Sequence, residues 1–178
     1  RTREGALTGI VRERGVAHRD GSPHATSHIW VVRENGTGGY DLLLQKRSAC
    51  KDSHPGCYDI PAAGHVAAGD DYPETALREL WEELGIRTIG EKLHFAGFHR
   101  GGFEAVFYGK PFRDYEVSAV YIYRERVDET ALCVQQSEVE SVRWMDYQEC
   151  VQMVKEGSMP NCIYEDELLL VGRFLGLA

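Results

Sequence analysis

The sequence predicts an α/β protein in which helices pack on both sides of a mixed central sheet, an α/β/α sandwich. Strand-like segments lie before and after one central amphipathic helix, and two further helical segments close the chain. The 178 residues, 43% of them hydrophobic, suffice for one well-buried core. We therefore expect a single domain over residues 1–178.

The strand candidates are short segments separated by glycine-rich turns. The turn at residues 34–39 joins the first two of them, which is typical of a β-hairpin. The pair Gly101 and Gly102 indicates a second turn, between two later strands. The expected strands are residues 27–32, 40–45, 93–99, 103–108, 117–123 and 141–144.

The central helix has clear start and stop signals. Asp70 or Asp71 can cap its first turn, and Pro73 suits an early helical position. Gly85 can adopt the left-handed conformation that ends a helix. The residues expected to form its buried stripe are Leu77, Leu80 and Leu84.

Two more helices are expected near the end of the chain. The first covers residues 146–156, with Tyr147, Val151 and Val154 facing the core and Gly157 following it. The second covers residues 165–175. Both close the sandwich after the last strand.

Three glutamates share one face of the central helix. Glu79 lies four residues from Glu83 and three from Glu82, so the three side chains can converge. Each like-charge pair at this spacing destabilises a helix by roughly a few tenths of a kcal/mol unless a cation lies between them. Oxygen-only ligands favour Mg²⁺ or Mn²⁺. The sequence predicts a divalent metal site here, and the alternative is an ordinary solvated acidic face.

Composition excludes several classes of function. The formal net charge of −8 opposes attraction of a nucleic acid polymer. Residues 168–175 are interrupted by Gly172 and Arg173, and no apolar run reaches the length of a membrane span. The five cysteines form no Cys-x-x-Cys pair, and no secretory leader is visible, so we expect reduced thiols and a cytoplasmic location.

Residues 64–86 resemble the Nudix box. The box is a glycine, five residues, a glutamate, seven residues, Arg-Glu, an aliphatic residue, any residue, Glu-Glu, any residue, Gly and an aliphatic residue. This chain departs from it once, with Asp70 in place of the first glutamate. The resemblance implies a Nudix-type sandwich, a metal held by Glu79, Glu82 and Glu83, and a substrate-binding Gly64. Arg78, four residues before Glu82, is expected to orient that glutamate.

The region from His18 to the end of the box is similar to a narrower Nudix branch, the isopentenyl-diphosphate isomerases and the hydrolases that resemble them. The similarity implies a second metal site and two cations for a substrate diphosphate, Arg47 and Lys51. Imidazoles with carboxylates suit Mn²⁺, Zn²⁺ or similar ions. The residues implied for the second site are His18, His24, His65, Asp114 and Glu116.

One position separates hydrolysis from isomerisation. The isomerases of this branch have an essential cysteine just before the Gly-His pair, where this chain has Ala63. A methyl group cannot move a proton, and Cys57 lies elsewhere on the loop. Glu79, Glu82 and Glu83, the glutamates that hydrolysis uses, are all retained.

We therefore expect a metal-dependent hydrolase of the diphosphate bond of a small nucleoside, cofactor, sugar-nucleotide or prenyl diphosphate, with Mg²⁺ or Mn²⁺ as its cofactor. Glu82, Glu83 and Glu138 are alternative general bases. An isomerase-like enzyme and a non-catalytic nucleotide-binding module are the alternative functions. The expected partner is a small diphosphate substrate, with no membrane or nucleic acid, and a homodimer is a candidate assembly.

Overall fold

Seven strands in one mixed sheet form the centre of the molecule, described by a computed structural model for residues 1–2, 4–51 and 53–177. The strands are β1 His24–Glu34, β2 Tyr40–Arg47, β3 Tyr58–Asp59, β4 Ala62–His65, β5 Leu93–Phe107, β6 Lys110–Tyr123 and β7 Val139–Asp146. The helices are α1 Arg14–Asp20, α2 Tyr72–Leu84, α3 Tyr147–Glu156 and α4 Glu165–Leu175, with short 3-10 turns at Gly90–Lys92 and Glu129–Ala131.

The sheet has the order β3-β2-β1-β6-β5, with β4 added to β1 and β7 to β2. Strands β1 and β6 run parallel, and the other neighbours run antiparallel. A parallel pair needs a long crossover connection, which here contains β2 to β5 and helix α2. The expected mixed sheet is confirmed.

Alternating side chains of the sheet enter two separate cores. On β1, Trp30 and Val32 face α3 and α4, while Ile29 and Val31 face α2. This alternation follows from the two-residue period of a strand, and it makes the fold an α/β/α sandwich, as predicted. None of the described helices is long and apolar enough to cross a membrane.

The hairpin and the three predicted helices are confirmed. Val32 pairs with Leu42 across the expected first turn. Asp71 caps α2 by accepting a hydrogen bond from the amide of Glu74, and Gly85 ends that helix with a φ of 73°. Helix α3 begins after its cap at Asp146 and α4 covers the predicted residues.

Some inward-facing positions differ from the expectation. In α2, Leu80 and Leu84 are fully buried, whereas Leu77 is only partly buried against the same core. In α3, Tyr147 is buried as expected, but Val151 and Val154 lie at the edge of the core. The side chains that share the centre of the α3 face with Tyr147 are Cys150 and Met153.

The predicted turn at Gly101 and Gly102 is wrong, because β5 runs straight through both glycines. Both glycines let neighbouring atoms approach the strand closely, and neither of them reverses the direction of the chain. A Cβ atom at Gly102 would lie 2.6 Å from the Asp114 carbonyl oxygen and from the Tyr115 ring. The reversal comes later, where Tyr108 and Gly109 both have positive φ and Phe107 pairs with Lys110.

Helix α1 and strands β3 and β4 were not expected from the sequence. The carboxylate of Glu13 accepts hydrogen bonds from the amides of Gly15 and Val16 and so caps α1. Gly21 ends the helix in the left-handed conformation. This short helix buries His18 against β6, which brings that histidine to the sheet.

The close approach at Gly102 predicts a specific stability difference. Gly102→Ala should lower the free energy of unfolding by about 2 kcal/mol, because the added methyl group overpacks the strand against Tyr115. Gly36→Ala is the matched control, since nothing lies within 4 Å of a Cβ atom there. Urea denaturation of both variants measures the difference. Equal stabilities would contradict the described path of β5.

Candidate active site

Glu79 lies where helix α2 crosses the end of strand β4. A Cβ atom added at Gly64 would come within 2.1 Å of the Glu79 carboxyl group. Only a glycine therefore leaves room for this side chain. The resemblance implied a substrate-binding role for Gly64. In the structure, Gly64 determines how closely the Glu79 carboxylate approaches the sheet.

Arg78 contacts Glu79 rather than Glu82, so the expected pairing with Glu82 is wrong. Its guanidinium donates to Glu79 Oε1 at 3.1 Å and to the His65 carbonyl oxygen at 3.4 Å. The Asp70 carboxylate lies 3.8 Å away. These acceptors lie on the side of α2 that faces β4, and the Arg78 side chain turns toward them, while Glu82 is exposed.

Glu83 is the buried member of the helix trio. Its Oε2 accepts a hydrogen bond of 3.3 Å from the amide of Gln45 on β2. Burial, together with the nearby charges of Glu79 and Asp59, raises the pKa of Glu83 to about 8, although Lys51 opposes this. Burial also raises the pKa of Glu79, against the opposing effect of Arg78.

Glu138 and Lys51 lie in two loops near Glu83. The Lys51 ammonium pairs with the Glu138 carboxylate. The charge of Glu138 contributes to the raised pKa of both Glu79 and Glu83, so Glu138 lies on the same side of the molecule as the box. The structure thus brings the three candidate bases, Glu82, Glu83 and Glu138, into one region.

The three box carboxylates do not converge as the sequence predicted. Within the described part of the chain, the groups with ligand atoms inside 4.8 Å of one another are two other sets. Glu79 is turned toward Arg78, Glu83 toward Gln45, and Glu82 is exposed. Their electrostatics nevertheless fit a divalent cation, because it would offset both the burial and the neighbouring negative charges that raise the pKa of Glu83.

The guanidinium group of Arg47 stabilises the loop that contains Lys51. One guanidinium nitrogen donates to Asp59 at 2.9 Å, and another donates to the Ser53 carbonyl oxygen at 3.0 Å. Burial lowers the pKa of Arg47, but Asp59 outweighs this effect and raises it. Both expected diphosphate ligands, Arg47 and Lys51, are therefore engaged by acidic side chains beside the box.

The second predicted site is assembled by four separate elements. His18 comes from α1, His24 from the start of β1, His65 from the end of β4, and Asp114 from β6. The Nε2 atoms of His24 and His18 lie 3.1 Å and 3.5 Å from Asp114 Oδ1. The four residues bring one ligand atom each within 4.8 Å of the others. Glu116 lies beside them, with Oε1 4.0 Å from His24 Nε2.

The donor atoms of this histidine cluster fit a metal ion. The Nε2 atoms of His18, His24 and His65 and the Oδ1 atom of Asp114 are buried without a well-formed hydrogen bond. The His24 Nδ1 atom instead lies 3.0 Å from the Ser22 carbonyl oxygen, which leaves Nε2 for a ligand. Such buried, unsatisfied atoms around one point are unfavourable unless an ion pairs with them.

The pKa shifts of His65 and Asp114 favour metal binding near neutral pH, whereas that of His24 opposes it, because a metal ion there competes with a proton. Burial, with the charge of Arg14, lowers the pKa of His65 to about 4, so its ring nitrogen is free of a proton. Burial disfavours the charged form of Asp114, but His18 and His24 outweigh it and hold the pKa of that carboxyl well below its usual range. For His24, Asp114 and the Ser22 carbonyl overcome burial and raise the pKa.

A second buried set, His28, His99 and Glu167, also brings ligand atoms together. In the sequence, His28 lies close after His18 and His24, but nothing marks His99 or Glu167. Glu167 occupies the first turn of α4 with Glu165 and Asp166, where acidic residues are ordinary because of the helix dipole. Only the tertiary structure shows that one of these three is buried.

Comparison with known proteins identifies relatives over most of the chain. A family model described as NUDIX domain matches residues 23–162. Nudix hydrolase 3 of Arabidopsis thaliana is 36% identical over 159 residues, covering 83% of this chain and 19% of the relative. An isopentenyl-diphosphate Delta-isomerase of Rhodobacter capsulatus is 36% identical over 94 residues, covering 53% of this chain and 48% of the relative.

The chain thus spans only about a fifth of the Arabidopsis relative. Among solved structures, a protein of Deinococcus radiodurans superposes with a TM-score of 0.62 at 16% identity. That match covers 89% of this chain and 88% of the other. At this identity the likeness concerns the fold.

Burial of Glu83 predicts a pH dependence of the metal-free protein. The folded state holds its proton up to about pH 8, whereas the unfolded chain releases it near 4.5. Between those values the folded state binds more protons, so its stability falls as pH rises, by about 5 kcal/mol across the window. Glu83→Gln should lack this loss.

Chemical denaturation in the presence of a chelator, repeated along the pH window, measures this slope. The exposed carboxylate of Glu91 provides the control, because Glu91→Gln should keep the slope of the unmodified protein. Superimposable curves for the unmodified protein and Glu83→Gln would contradict the assigned burial.

Proposed function

The chain belongs to the NUDIX domain family, and from this premise we propose that it is a metal-dependent hydrolase of a small organic diphosphate. The observation that carries the proposal is the position of Glu79 and Glu83, where Gly64 lets the Glu79 carboxylate approach β4 and Gln45 holds the buried Glu83 carboxylate. Burial and the neighbouring carboxylates raise the pKa of both. Two cations, Arg47 and Lys51, lie near Glu83, and each is paired with an acidic side chain.

The proposed metal ligands are Glu79, Glu82 and Glu83, and the proposed ion is Mg²⁺ or Mn²⁺, since all the donors are carboxylate oxygens. When bound, such an ion neutralises charge on the phosphate oxygens and acidifies a water molecule. Arg78 holds Glu79 in place against β4, and Gln45 fixes one oxygen of Glu83. These contacts orient the carboxylates before substrate arrives.

Arg47 and Lys51 are proposed to bind the diphosphate. Each is held by a carboxylate, Asp59 and Glu138 respectively, so both side chains already lie beside the box. An incoming diphosphate competes with those carboxylates for the same cations. Displacement of Glu138 from Lys51 would free that carboxylate to accept a proton from water, and Glu82 and Glu83 remain alternative bases.

The histidine cluster is proposed as a second metal site, with Glu116 as a further ligand. Its three imidazoles and one carboxylate suit Mn²⁺ or a similar ion better than Mg²⁺. Arg78 connects the two regions, because it donates both to the carbonyl oxygen of His65 and to Glu79. An ion at either site would therefore act close to the other.

Isomerisation is the second candidate, favoured by the histidine cluster and by the similarity to the Rhodobacter isomerase. Ala63 opposes it. This residue lies on β4 immediately before Gly64 and pairs with His28 of β1. Its methyl side chain has no titratable group. Cys57 lies in the loop beside Arg47, and its carbonyl oxygen accepts a hydrogen bond from the backbone amide of Arg47. We therefore place hydrolysis first.

A cytoplasmic location forms part of the proposal, supported by the five free cysteines. The substrate class is proposed only as far as a diphosphate joined to a nucleoside, sugar nucleotide, cofactor or prenyl group.

Removal of one proposed ligand should abolish most of the activity. Glu83→Gln keeps the size of the side chain and its contact with Gln45 but removes its charge. We expect turnover to fall about a thousandfold, equivalent to about 4 kcal/mol of transition-state stabilisation. Steady-state kinetics with Mg²⁺ measure the loss. Glu74→Gln, on the exposed face of the same helix, should retain the normal rate, and a near-normal rate for Glu83→Gln would exclude that residue from the reaction.

A panel of diphosphates with Mg²⁺ or Mn²⁺ separates the candidate functions. Hydrolysis should release phosphate or a monophosphate from at least one class of compound, and the release should stop when the metal is chelated. Rearrangement of an alkene without release would support the isomerase. Saturable binding without turnover would support a binding module. The product analysis uses phosphate detection together with mass spectrometry.

A further inference from the structure

Glu167 is a carboxylate in the middle of the protein. It lies in the first turn of α4, yet it is only 1% exposed. Its Oε1 accepts a hydrogen bond of 2.9 Å from the indole nitrogen of Trp30, and its Oε2 accepts one of 2.9 Å from His28 Nδ1. His99 Nδ1 lies 3.4 Å from the same Oε2. Both oxygens of Glu167 are therefore occupied by donors from β1.

His28 connects Glu167 to the histidine cluster. Its second nitrogen, Nε2, lies 3.4 Å from Glu116 Oε2, so the ring is placed between two carboxylates. The ring therefore presents Nδ1 to Glu167 at 2.9 Å and Nε2 to Glu116 at 3.4 Å, and it contacts both acceptors. The hydroxyl of Thr26 also donates to Glu116 Oε2 at 3.4 Å. One oxygen of Glu116 is thus fixed toward the protein interior.

The other oxygen of Glu116 faces the cluster. Its Oε1 lies 4.0 Å from His24 Nε2, whose ring is one of the cluster members. His28 contacts the inner oxygen of Glu116, and Glu167 holds the His28 ring. Glu167 therefore acts on the orientation of the Glu116 carboxylate through His28. A carboxylate needs such support to present one oxygen in a fixed direction to a metal ion.

We propose that Glu167 is a positioning residue for the second metal site, acting through His28 to hold Glu116 toward the histidine cluster. The inference rests on the proposed function in taking Glu116 as a ligand of that site. A metal ion bound by His28, His99 and Glu167 themselves is disfavoured, because both oxygens of Glu167 already accept hydrogen bonds and His28 Nε2 faces Glu116. The trio supports the neighbouring site instead.

Manganese binding to the full chain tests this role. Electron paramagnetic resonance of a Mn²⁺ titration gives the affinities, and His24→Gln identifies which of them belongs to the cluster. Glu167→Gln keeps the shape of the side chain but removes its charge, and we expect at least about tenfold weaker binding at the cluster. Glu165→Gln is the matched control in the same helix turn, because the Glu165 side chain is exposed and lies 3.8 Å from Lys155. The affinity of this variant for Mn²⁺ at the cluster should stay within about twofold of that of the unmodified protein.

A structural role alone would give a different result. If Glu167→Gln lowers the melting temperature but binds Mn²⁺ at the cluster as tightly as the unmodified protein, the proposal is wrong. If this variant does not fold, His28→Gln takes its place, with the same expected loss and the same contradicting outcome. An unmodified chain that binds no Mn²⁺ at the histidines also overturns the proposal.

Failure of the proposed hydrolase function would look different. Diphosphate turnover by the unmodified chain is measured on the same samples. An unmodified chain with a cluster-bound Mn²⁺ but no turnover of any diphosphate would refute hydrolysis, while the Glu167→Gln comparison would still decide the positioning role.

Discussion

The repulsion among buried carboxylates is the constraint on which the site depends. Glu83 is held inside the protein near Glu79, Asp59 and Glu138. Burial first, and then these three charges, raise its pKa, and Lys51 opposes them. A folded chain tolerates such an arrangement when protons or cations balance it. In the proposed function, a divalent ion beside Glu79 and Glu83 takes the place of the proton that otherwise balances these charges.

The pairing of β1 with β6 and with β4 places both candidate sites at the same end of these strands. The parallel pairing of β1 with β6 sets His24 opposite Glu116, and the antiparallel pairing of β1 with β4 sets Thr26 opposite His65. Gly64, next to His65, receives Glu79 from α2. One short strand, β4, therefore contacts the box on one side and contributes a histidine to the cluster on the other.

Local chemistry explains which features could be predicted from the sequence. The caps of α2 and the first hairpin depend on residues a few positions apart, and the structure shows them where they were expected. The Gly101 and Gly102 turn was wrong because a glycine required by a neighbouring Tyr115 ring looks the same in sequence as a glycine required by a turn. Helix α1 was missed because its cap, Glu13, is not among the usual capping residues.

Long-range contacts explain what the sequence could not reveal in the site. Arg78 pairs with Glu79 because the carbonyl oxygen of His65, distant in sequence, lies on that side of the helix. The burial of Glu167 depends on Trp30 and His28, more than a hundred residues away. Spacing within one helix carries no information about such partners.

Anomalous diffraction from crystals of this protein soaked in Mn²⁺ tests the central claim most directly. The account predicts a manganese peak bonded to carboxylate oxygens of Glu79 and Glu83, with the Glu82 side chain turned toward it from its exposed position. Crystals that take up manganese elsewhere, with no peak beside helix α2 and with Glu79 still held by Arg78 alone, would contradict it.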